Sequence, residues 1–525
     1  MAYFQPTSKI RIHDLFKGIL INNQLRNLKN DFVADIAYDS LSLQRFSTSR
    51  RGLKIYFAPY PFVNRDGKEQ NPNLFINEAI DFGARIIVYK SFKELQKKKN
   101  VIYIPVSKPR HVLAQCSFRF YNLAAIKMPI FGVTGTKGKT TVAYLIHHLL
   151  NKIEGKTGLI SSADYYIGTQ KVSNLSPHIN GTWLSCLESL ELAGFIYSLY
   201  KQKGRAMVIE ATSHALALHR VSNQIHFVGG VITNIGSDHL DFHKSLSNYI
   251  QAKKMLIDYI ALSKNVLPKV LVLNANDSSA LELKDYAKKR GIQKIVTIGI
   301  YGENTFIGTV DYLIRDREAF FDILFKNKVY TCPNKLGGSF NTFNYTAAIA
   351  LMNQVYQIPV SELIGYLYSF KKVPGRFEFV IYEPYSIIVD YAHEEISMEA
   401  VLKYARSRWE NVYVVFSCTG NRDTKKRSKM AKIASQYADY SIVTNDSTHS
   451  EDPHKILNDI AVGFQDEKFE LIDNRYSAIK KGISLLKPNN HDVLLILGMG
   501  NENIIERNGI IRKWSDKIAV KQILN

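Results

Sequence analysis

A loop at residues 132–141, GVTGTKGKTT, combines two lysines, three glycines and four threonines. The apolar strand MPIFGVTG leads into it, and TTVAYLIHHLL after it has apolar residues at the spacing of one helical face. Backbone N–H groups and the helix dipole at such a helix start attract an anion. The strict spacing of the common phosphate loop is not met, so a bare turn is the alternative. We predict that the loop binds ATP through Gly135, Thr136, Lys137, Gly138, Lys139, Thr140 and Thr141.

Lys139 can reach the terminal phosphates of the nucleotide, and the Thr140 hydroxyl can bind Mg²⁺. Further along, Asn341 and Asn344 in GGSFNTFN carry amide groups that match the donor and acceptor edges of adenine. We therefore expect these two asparagines to bind the base of the same nucleotide.

These residues need elements that bring them together. Apolar strands that alternate with helical patterns, such as RAMVIEAT, FVGGVITNIG and KVLVLNAND, predict a mostly parallel sheet wrapped by helices. A second alternation begins after VPGRFE, and each of its strands ends in a small or polar loop, where open α/β sheets bind ligands. We predict an α/β protein with three domains: a small α/β domain at 1–128, a central P-loop-type domain at 129–374 and a Rossmann-like domain at 375–525.

The chain has 525 residues and a net charge of +21, with lysines spread along its length. We expect small anionic substrates rather than nucleic acid to meet this charge. No stretch reaches the roughly 18–20 apolar residues of a membrane span, and the N-terminus lacks a signal-peptide pattern. The four cysteines are far apart, as in proteins of a reducing compartment. These features predict a cytoplasmic protein, which we expect to be a monomer.

Several ordered motifs resemble the Mur ligase family, whose members use ATP to join amino acids or peptides to an acyl acceptor. Besides the phosphate loop, they are IEATSHALALHRV, TNIGSDHLDFHKSLSNYIQAKKML, LGGSFNTFNYTAAIA, VPGRFE and DYAHEEISMEAVL. The segments look most like ligases that add a diamino acid to UDP-N-acetylmuramoyl-L-alanyl-D-glutamate in peptidoglycan synthesis. The resemblance implies a UDP-sugar-binding N-terminal domain, a central ATP-binding domain and a C-terminal domain for the amino acid.

Amide formation by such a ligase passes through an acyl phosphate that the amine attacks, so positioning and charge neutralisation dominate. By resemblance, Arg376 in PGRFE and His393 in DYAH act at the γ-phosphate. The implied catalytic residues are Lys139, Lys253, His239, Arg376 and His393.

The resemblance also implies the magnesium ligands. Glu210 and His239 would bind Mg²⁺ with Thr140, an oxygen-rich set that suits a hard cation. His239 and His243 at i, i+4 leave zinc as an alternative, although a third ligand at suitable spacing is missing. Lys253 stands where the family carries a carbamylated lysine that holds a second Mg²⁺. A solvated lysine is the alternative there, because Lys254 is adjacent.

The UDP-sugar peptide is expected on the N-terminal domain and the facing edge of the central one. The matching positions are Ser49, Arg50, Asn64, Arg65, Asn180, Gly181, Thr182, Thr212 and Arg220. The arginine fork of Arg220 suits a pyrophosphate or carboxylate. Two departures from the family pattern, TSR for DSR and NGTW for NTTP, affect the detailed sugar-peptide contacts.

The amino-acid pocket is implied in the C-terminal domain, where Arg422 would hold the α-carboxylate. Ligases that add meso-diaminopimelate carry D-N-P-R 24 positions later, and its arginine binds the far carboxylate. Here that motif reads Asp446, Ser447, Thr448 and His449. Histidine cannot make the bidentate contact, so a diamine without a second carboxylate, such as lysine or ornithine, is favoured. Gly498 and Glu502 match the family at the amine end, although GMGNEN replaces the usual GKGHE.

Two other functions remain open from the sequence. One is a Mur-type paralogue with another acceptor or amine, such as a polyglutamate-forming or cyanophycin-type ligase. The long N-terminal domain and SHALALHR favour the muramoyl substrate instead. The other is a nucleotide-binding scaffold with decayed catalysis, against which the intact Lys139, Glu210, His239 and Lys253 count.

Overall fold

The computed structural model describes residues 9–19, 25, 28, 30–43, 52–58, 71–91, 95–172, 186–236, 238–317, 319–488 and 491–525. Three sheets organise the chain, and we name the N-terminal, central and C-terminal units after them. Within the described ranges, no helix is long and apolar enough to cross a bilayer.

The N-terminal unit is built on a five-stranded sheet in chain order. Its first two strands are antiparallel and the rest are parallel. The strands are β1 (Ile10–Arg11), β2 (Phe32–Ala37), β3 (Leu53–Phe57), β4 (Ile86–Tyr89) and β5 (Ile102–Pro105). The helices are α1 (Ile12–Leu15), α2 (Ser40–Leu43), α3 (Pro72–Asp81) and α4 (Pro109–Phe120), followed by a 3₁₀ turn at Leu123–Ala125.

The central unit contains an eleven-stranded sheet in the order β16-β15-β14-β13-β12-β11-β6-β10-β7-β8-β9. Its middle is parallel, and antiparallel strands close both edges. The strands are β6 (Ile130–Thr134), β7 (Thr157–Ile160), β8 (Tyr165–Ile167), β9 (Gln170–Lys171), β10 (Ala206–Glu210), β11 (Phe227–Ile232), β12 (Val270–Asn274), β13 (Lys294–Ile300), β14 (Tyr312–Arg317), β15 (Phe320–Phe325) and β16 (Lys328–Pro333).

Helices cover both faces of this sheet, which is why its inner strands are buried along their whole length. They are α5 (Lys139–Ile153), α6 (Ser189–Lys201), α7 (Ser213–Ala217), α8 (Leu240–His243), α9 (Leu246–Ala261), α10 (Ala280–Lys289), α11 (Phe340–Tyr356) and α12 (Val360–Leu367). Alternate side chains of β6 enter different cores: Phe131 and Val133 pack with Leu145 of α5, whereas Ile130 belongs to the core that contains Leu256 of α9.

A close approach between α9 and the sheet depends on glycine. A Cβ on Gly132 would clash with Leu256, and one on Gly230 would lie 3.1 Å from Ile260. The two glycines stand side by side on β6 and β11. Because they lack side chains, α9 packs directly against the strand that leads into the phosphate loop.

The C-terminal unit has a six-stranded sheet in the order β17-β18-β22-β19-β20-β21, parallel except for β17. A separate hairpin, β23–β24, follows it. The strands are β17 (Glu378–Ile381), β18 (Ser386–Asp390), β19 (Asn411–Phe416), β20 (Tyr440–Val443), β21 (Phe469–Leu471), β22 (Asp492–Leu497), β23 (Ile504–Arg507) and β24 (Ile510–Lys513). The helices are α13 (Glu395–Arg408), α14 (Lys426–Tyr437), α15 (Pro453–Ala461), α16 (Arg475–Ser484) and α17 (Asp516–Leu524). The predicted α/β class with mostly parallel sheets is confirmed.

Candidate active site

The predicted phosphate loop connects β6 to α5. Gly135 and Gly138 have φ angles of +147° and +83°, a region that favours glycine. A Cβ on Gly135 would clash with Thr233, and one on Gly138 would meet the Asn344 amide. The loop thus lies closely against the end of β11 and the start of α11, with no space for larger residues at its two turns.

Backbone contacts from the segment after β11 hold this loop in place. The Thr136 N–H donates to the Asn234 carbonyl, and the Lys137 N–H donates to its side-chain oxygen, each at 2.9 Å. Lys139 donates from Nζ to the Thr136 carbonyl at 2.8 Å. Burial lowers the pKa of Lys139 below its ordinary value, although Glu210 opposes this shift.

Two of the predicted magnesium ligands lie together. Thr140 Oγ1 donates to Glu210 Oε2 at 3.0 Å, and the Glu210 carboxylate is buried at the end of β10. Ser162, which follows β7 and was not predicted from the sequence, joins this pair. Its N–H donates to Glu210 at 2.8 Å, and its hydroxyl lies 2.9 Å from Thr140 Oγ1. Such a set of hydroxyl and carboxylate oxygens suits Mg²⁺.

His239, the third predicted ligand, lies at the start of α8 beside Asp238 and His214. Its Nδ1 is 3.5 Å from Asp238 Oδ1, its ring centroid is 4.6 Å from that of His214, and 45% of its side chain is exposed. His243 packs against His214 and Tyr249. Among the described residues, no three His, Cys, Asp or Glu side chains form a group that could hold a metal.

Lys253 and Lys254 have different surroundings on α9. Lys253 is fully buried; its Nζ donates to the Gly135 carbonyl at 2.6 Å and lies 4.2 Å from the centre of the Tyr249 ring. Burial, helped by the charge of Lys139, lowers the pKa of Lys253 well below its ordinary value. Lys254 instead pairs with Glu282 at 2.5 Å. The alternative of a solvated Lys253 is therefore wrong.

Asn341 and Asn344 lie at the start of α11, next to the phosphate loop. Asn344 Nδ2 donates to Asn341 Oδ1 at 2.8 Å, and Asn341 Nδ2 donates to the Gly337 carbonyl at 2.7 Å. Both side chains are buried. Their mutual hydrogen bond fixes the orientation of both amides.

Arg376 connects the central and C-terminal units. Its Nη2 lies 3.4 Å from Thr140 Oγ1, and its guanidinium stacks 4.2 Å from the centre of the Tyr391 ring. The Tyr391 hydroxyl donates to Glu502 at 3.1 Å. His393 Nδ1 is 2.7 Å from the Tyr391 carbonyl, and burial lowers the pKa of His393 to about 3, so this imidazole is neutral at pH 7.

Most positions predicted for the UDP-sugar peptide lie outside the described residues. They are Ser49, Arg50, Asn64, Arg65, Asn180, Gly181 and Thr182. Of the other two, Thr212 caps α7 by accepting the Ala215 N–H at 3.2 Å. Arg220 Nε donates to Glu188 Oε1 at 2.8 Å, and Arg110 donates to the same oxygen at 2.9 Å.

Glu188 and Arg110 were missed by the sequence analysis. Burial opposes the ionisation of Glu188, but the two arginines outweigh it and lower the pKa of this carboxyl. The pair of arginines is thereby held at the junction of α4 and α6. A lone glutamate and a lone arginine carry no spacing signal that could have indicated this arrangement.

The residues predicted to form the amino-acid pocket follow the strands of the C-terminal sheet. Asp446 follows β20; its Oδ2 accepts the Ser417 hydroxyl at 2.8 Å, and its buried Oδ1 has no hydrogen-bond partner among the described residues. Burial and the neighbouring Asp446 raise the pKa of Glu502 to about 7. Arg422 is exposed in the loop after β19. Gly498, with a φ of +109°, lies against Ser417 and Asp446.

The hairpin β23–β24 lies against His449. The His449 N–H donates to the Glu506 carbonyl, and Nδ1 of the same histidine is 3.2 Å from Glu506 Oε2. The Glu506 N–H donates to Ser447 Oγ at 3.1 Å. Thr448 is buried against Gly420, where a Cβ would clash with it. His449 therefore has a glutamate partner that was not predicted from the sequence.

A buried ion pair between Arg475 and Asp516 contacts Ser417, the residue that donates a hydrogen bond to Asp446. Arg475 donates to both oxygens of Asp516 at 2.7 Å and to Ser417 Oγ at 3.0 Å. Because Asp516 neutralises it, this arginine adds little positive charge to the pocket.

Comparison with known proteins identifies the family. A sequence profile described as Mur ligase middle domain matches residues 133–352, and one described as Mur ligase, glutamate ligase domain matches residues 375–500. UDP-N-acetylmuramoyl-L-alanyl-D-glutamate--2,6-diaminopimelate ligase of Alkaliphilus metalliredigens (strain QYMF) is 32% identical, over 84% of this chain and 85% of its own. The chain belongs to the Mur ligase family. This Mur ligase is an ATP-dependent enzyme, and Mur ligases use Mg²⁺ with ATP.

A further sequence relative and two solved structures are also similar to this Mur ligase. The enzyme of the same name from Aquifex aeolicus (strain VF5) is 31% identical, over 94% of this chain and 96% of its own. A solved 2,6-diaminopimelate ligase of this type has a TM-score of 0.65 at 23% identity, covering 98% of this chain and 99% of that one. A folylpolyglutamate synthase from Mycobacterium tuberculosis has a TM-score of 0.58 and covers 73% of this chain and 91% of its own.

Proposed function

We propose that this Mur ligase joins an L-diamino acid to UDP-N-acetylmuramoyl-L-alanyl-D-glutamate, with an acyl phosphate as intermediate, in peptidoglycan synthesis. The observation that carries the proposal is the chain of contacts through Arg376. This side chain contacts Thr140 at the phosphate loop and Tyr391 at the amine pocket, and Tyr391 donates to Glu502. The activated carboxylate and the attacking amine would meet along this path.

Several side chains fit the activation step. Lys139 and Arg376 would neutralise charge on the transferred phosphoryl group, as such reactions require. Mg²⁺, when bound, would offset phosphate charge; Thr140, Glu210, His239 and a carbamylated Lys253 would hold it. A buried, neutral lysine amine is the form that reacts with CO₂, and the lowered pKa of Lys253 supports this modification. Asn341 and Asn344 would bind the adenine.

The domain limits that we propose are 1–128 for the UDP-sugar, 129–374 for ATP and 375–525 for the amino acid. Their support is that the three sheets lie within residues 10–105, 130–333 and 378–497. The UDP-sugar peptide would lie between the first two domains, near the Arg110–Glu188–Arg220 cluster.

The charge of the amine pocket favours a substrate whose far end is a plain ammonium group. Asp446 is a buried carboxyl group and Glu502 is half-buried, and Glu506 offsets the charge that a protonated His449 could carry. A second carboxylate here would be buried without a bidentate partner, which costs several kcal/mol. The relatives are named for 2,6-diaminopimelate instead. We propose lysine or ornithine as the better substrate of this chain.

The test measures phosphate release from ATP in the presence of UDP-N-acetylmuramoyl-L-alanyl-D-glutamate. The candidate amines are lysine, ornithine, meso-diaminopimelate and glutamate, and mass spectrometry identifies the products. A tripeptide product with lysine or ornithine is expected. Preference for diaminopimelate would overturn the amine assignment alone. Failure of all four amines to give a product with this acceptor would overturn the proposed function and support the paralogue.

A further inference from the structure

Lys137 belongs to the phosphate loop, but its side chain ends at the C-terminal unit. Its backbone is fixed within the central unit, because its N–H donates to Asn234 and its carbonyl accepts the Thr233 hydroxyl at 2.6 Å. The ammonium group forms an ion pair with the carboxylate of Glu394, a residue 257 positions away. The two side chains are only 28% and 23% exposed, so water screens this pair incompletely.

Glu394 stands immediately before α13 and occupies its N-cap position. Its carbonyl accepts the Met398 N–H and the Ser397 hydroxyl at 2.9 Å each, as the start of a helix requires. Its side chain makes no capping hydrogen bond, although serine, threonine, aspartate and asparagine are the residues that usually cap. The glutamate side chain therefore does not cap the helix, and it contacts other segments instead.

Those contacts come from both units. In the central unit, Glu394 faces Lys137 of the phosphate loop and Asp238, which precedes His239. Within the C-terminal unit, His393 Nε2 lies 3.6 Å from Glu394 Oε1. Burial opposes ionisation of Glu394, but the charge and the hydrogen bond of Lys137 lower its pKa to about 2, so the group is a carboxylate at neutral pH. One anion of the C-terminal unit thus pairs with the phosphate loop and lies beside the segment that carries His239.

We propose that Glu394 is a positioning residue that fixes the ammonium of Lys137 and couples the phosphate loop to the C-terminal unit. An ammonium has three N–H donors, so a hydrogen bond to Glu394 leaves two for phosphate oxygens. The central unit would carry the acyl phosphate and the C-terminal unit the amine, and reaction needs both in one arrangement. A pair that forms only when the units are together stabilises that arrangement. The inference rests on the ATP-dependent ligase reaction and not on which amine is used.

The first test is Glu394→Gln, which removes the charge and keeps the shape. We expect kcat to fall by about tenfold while the KM for ATP stays within about twofold, because the loop that binds the nucleotide is held by Asn234 and Thr233. Glu395→Gln is the matched control: it makes the same change one residue later, in a side chain that pairs with the exposed Lys429. A kcat for Glu394→Gln within about twofold of wild type, or an equal loss in the control, would overturn the proposal.

A double-mutant cycle separates positioning from a general structural role. Lys137→Gln and Glu394→Gln are combined, and each protein is first checked for an unchanged thermal midpoint. If the two residues act as a pair, the double variant is hardly slower than Lys137→Gln alone. Losses that multiply show independent roles and contradict the inference.

Small-angle X-ray scattering of the full chain with ADP gives a readout that needs no amine. Glu394→Gln should have a larger radius of gyration than wild type and Glu395→Gln, because the contact between the units is weakened. An unchanged radius of gyration would count against the coupling. If every amine in the panel fails while the radius still changes, the proposed function is wrong and the role of Glu394 stands.

Discussion

Lys139 and Lys253 bring two amines to one short loop, and Lys253 is fully buried. Lys139 donates to the Thr136 carbonyl and Lys253 to the Gly135 carbonyl, and burial lowers the pKa of each. Two ammonium groups in so small a volume would repel one another. Conversion of Lys253 to a carbamate would replace one positive charge with a negative one, which is the arrangement that Mg²⁺ binding favours.

Lys253→Ala should lose most of the ligase activity, and bicarbonate should not restore it. Lys253→Glu should recover part of the rate, because a carboxylate resembles the carbamate in charge. The matched control is Lys254→Ala, which removes the neighbouring lysine and its pair with Glu282. Incorporation of ¹³C-bicarbonate, followed by NMR, reports the carbamate directly. An alanine variant at position 253 with full activity contradicts the role.

Lys139→Ala should abolish turnover by removing a cation that neutralises the transferred phosphoryl group, with a loss of several kcal/mol in transition-state stabilisation. Phosphate release measures the rate, and a thermal melt confirms that the variant folds. If the variant keeps more than about a tenth of the wild-type rate, which corresponds to about 1.4 kcal/mol, the loop is not the phosphate site.

Substrate choice should change at His449. Wild type is expected to use lysine or ornithine with a kcat/KM about a hundredfold above that for diaminopimelate, because the second carboxylate lacks a bidentate partner. Changing His449→Arg alone would pair the new guanidinium with Glu506, so we expect the larger gain in diaminopimelate use from His449→Arg with Glu506→Gln. The kcat/KM for both amines on all three proteins measures this. A wild type that prefers diaminopimelate contradicts the pocket assignment.

At the scale of elements, the position of α9 decides where Lys253 lies. The helix packs against β6 and β11 through Gly132 and Gly230, and it brings the lysine to the Gly135 carbonyl. A single methyl group at this contact would displace the helix, since a packed core has little space for an added carbon.

Gly132→Ala should therefore lower stability by about 1–3 kcal/mol and reduce kcat more than the KM for ATP, because α9 moves while the phosphate loop keeps its bonds to Asn234. Denaturant unfolding and steady-state kinetics measure the two effects. Gly155→Ala is the control: a Cβ added there would have no heavy atom within 4 Å, although the φ of +84° adds backbone strain. Equal kinetic losses in both variants would show that α9 is not responsible.

The sequence predicted those parts of the site that neighbours along the chain determine. The phosphate loop, its flanking strand and helix, and the alternation of strands and helices are local patterns. Thr140 and Glu210 belong to separate elements, and only the family resemblance implied that they lie together. Ser162, Glu188 and Glu394 were not predictable, because each reaches its partner from a separate element. A single serine or glutamate has no periodicity or spacing that reveals its distant partner. The contact between the rings of His239 and His214 was not predicted either, because the two histidines belong to separate elements.

At the scale of the whole molecule, the protein carries a net charge of +21, and its proposed nucleotide substrates are anions. Electrostatic attraction of this kind raises the rate of encounter and weakens as salt screens it. The amine substrates are near neutral or cationic and gain nothing from the same field. The charge should therefore act on nucleotide substrates selectively.

Raising NaCl from about 50 to about 500 mM should increase the KM for the UDP-linked substrate and for ATP several-fold, because the Debye length shrinks from about 14 to about 4 Å. The KM for the amino acid should change by less than about twofold over the same range. Steady-state kinetics at constant Mg²⁺ measures all three, and potassium glutamate in place of NaCl controls for chloride binding. Equal increases for all substrates would contradict selective attraction.

The contact between His449 and the hairpin also affects how substrate preference can change among related ligases. The two sides of the contact are 57 residues apart in the chain, yet backbone hydrogen bonds hold them in fixed register. A change of substrate during evolution would thus require paired substitutions in both segments, because either one alone leaves an unmatched charge. Covariation between position 449 and position 506, rather than the identity of position 449 alone, should separate descendants with different amine preferences.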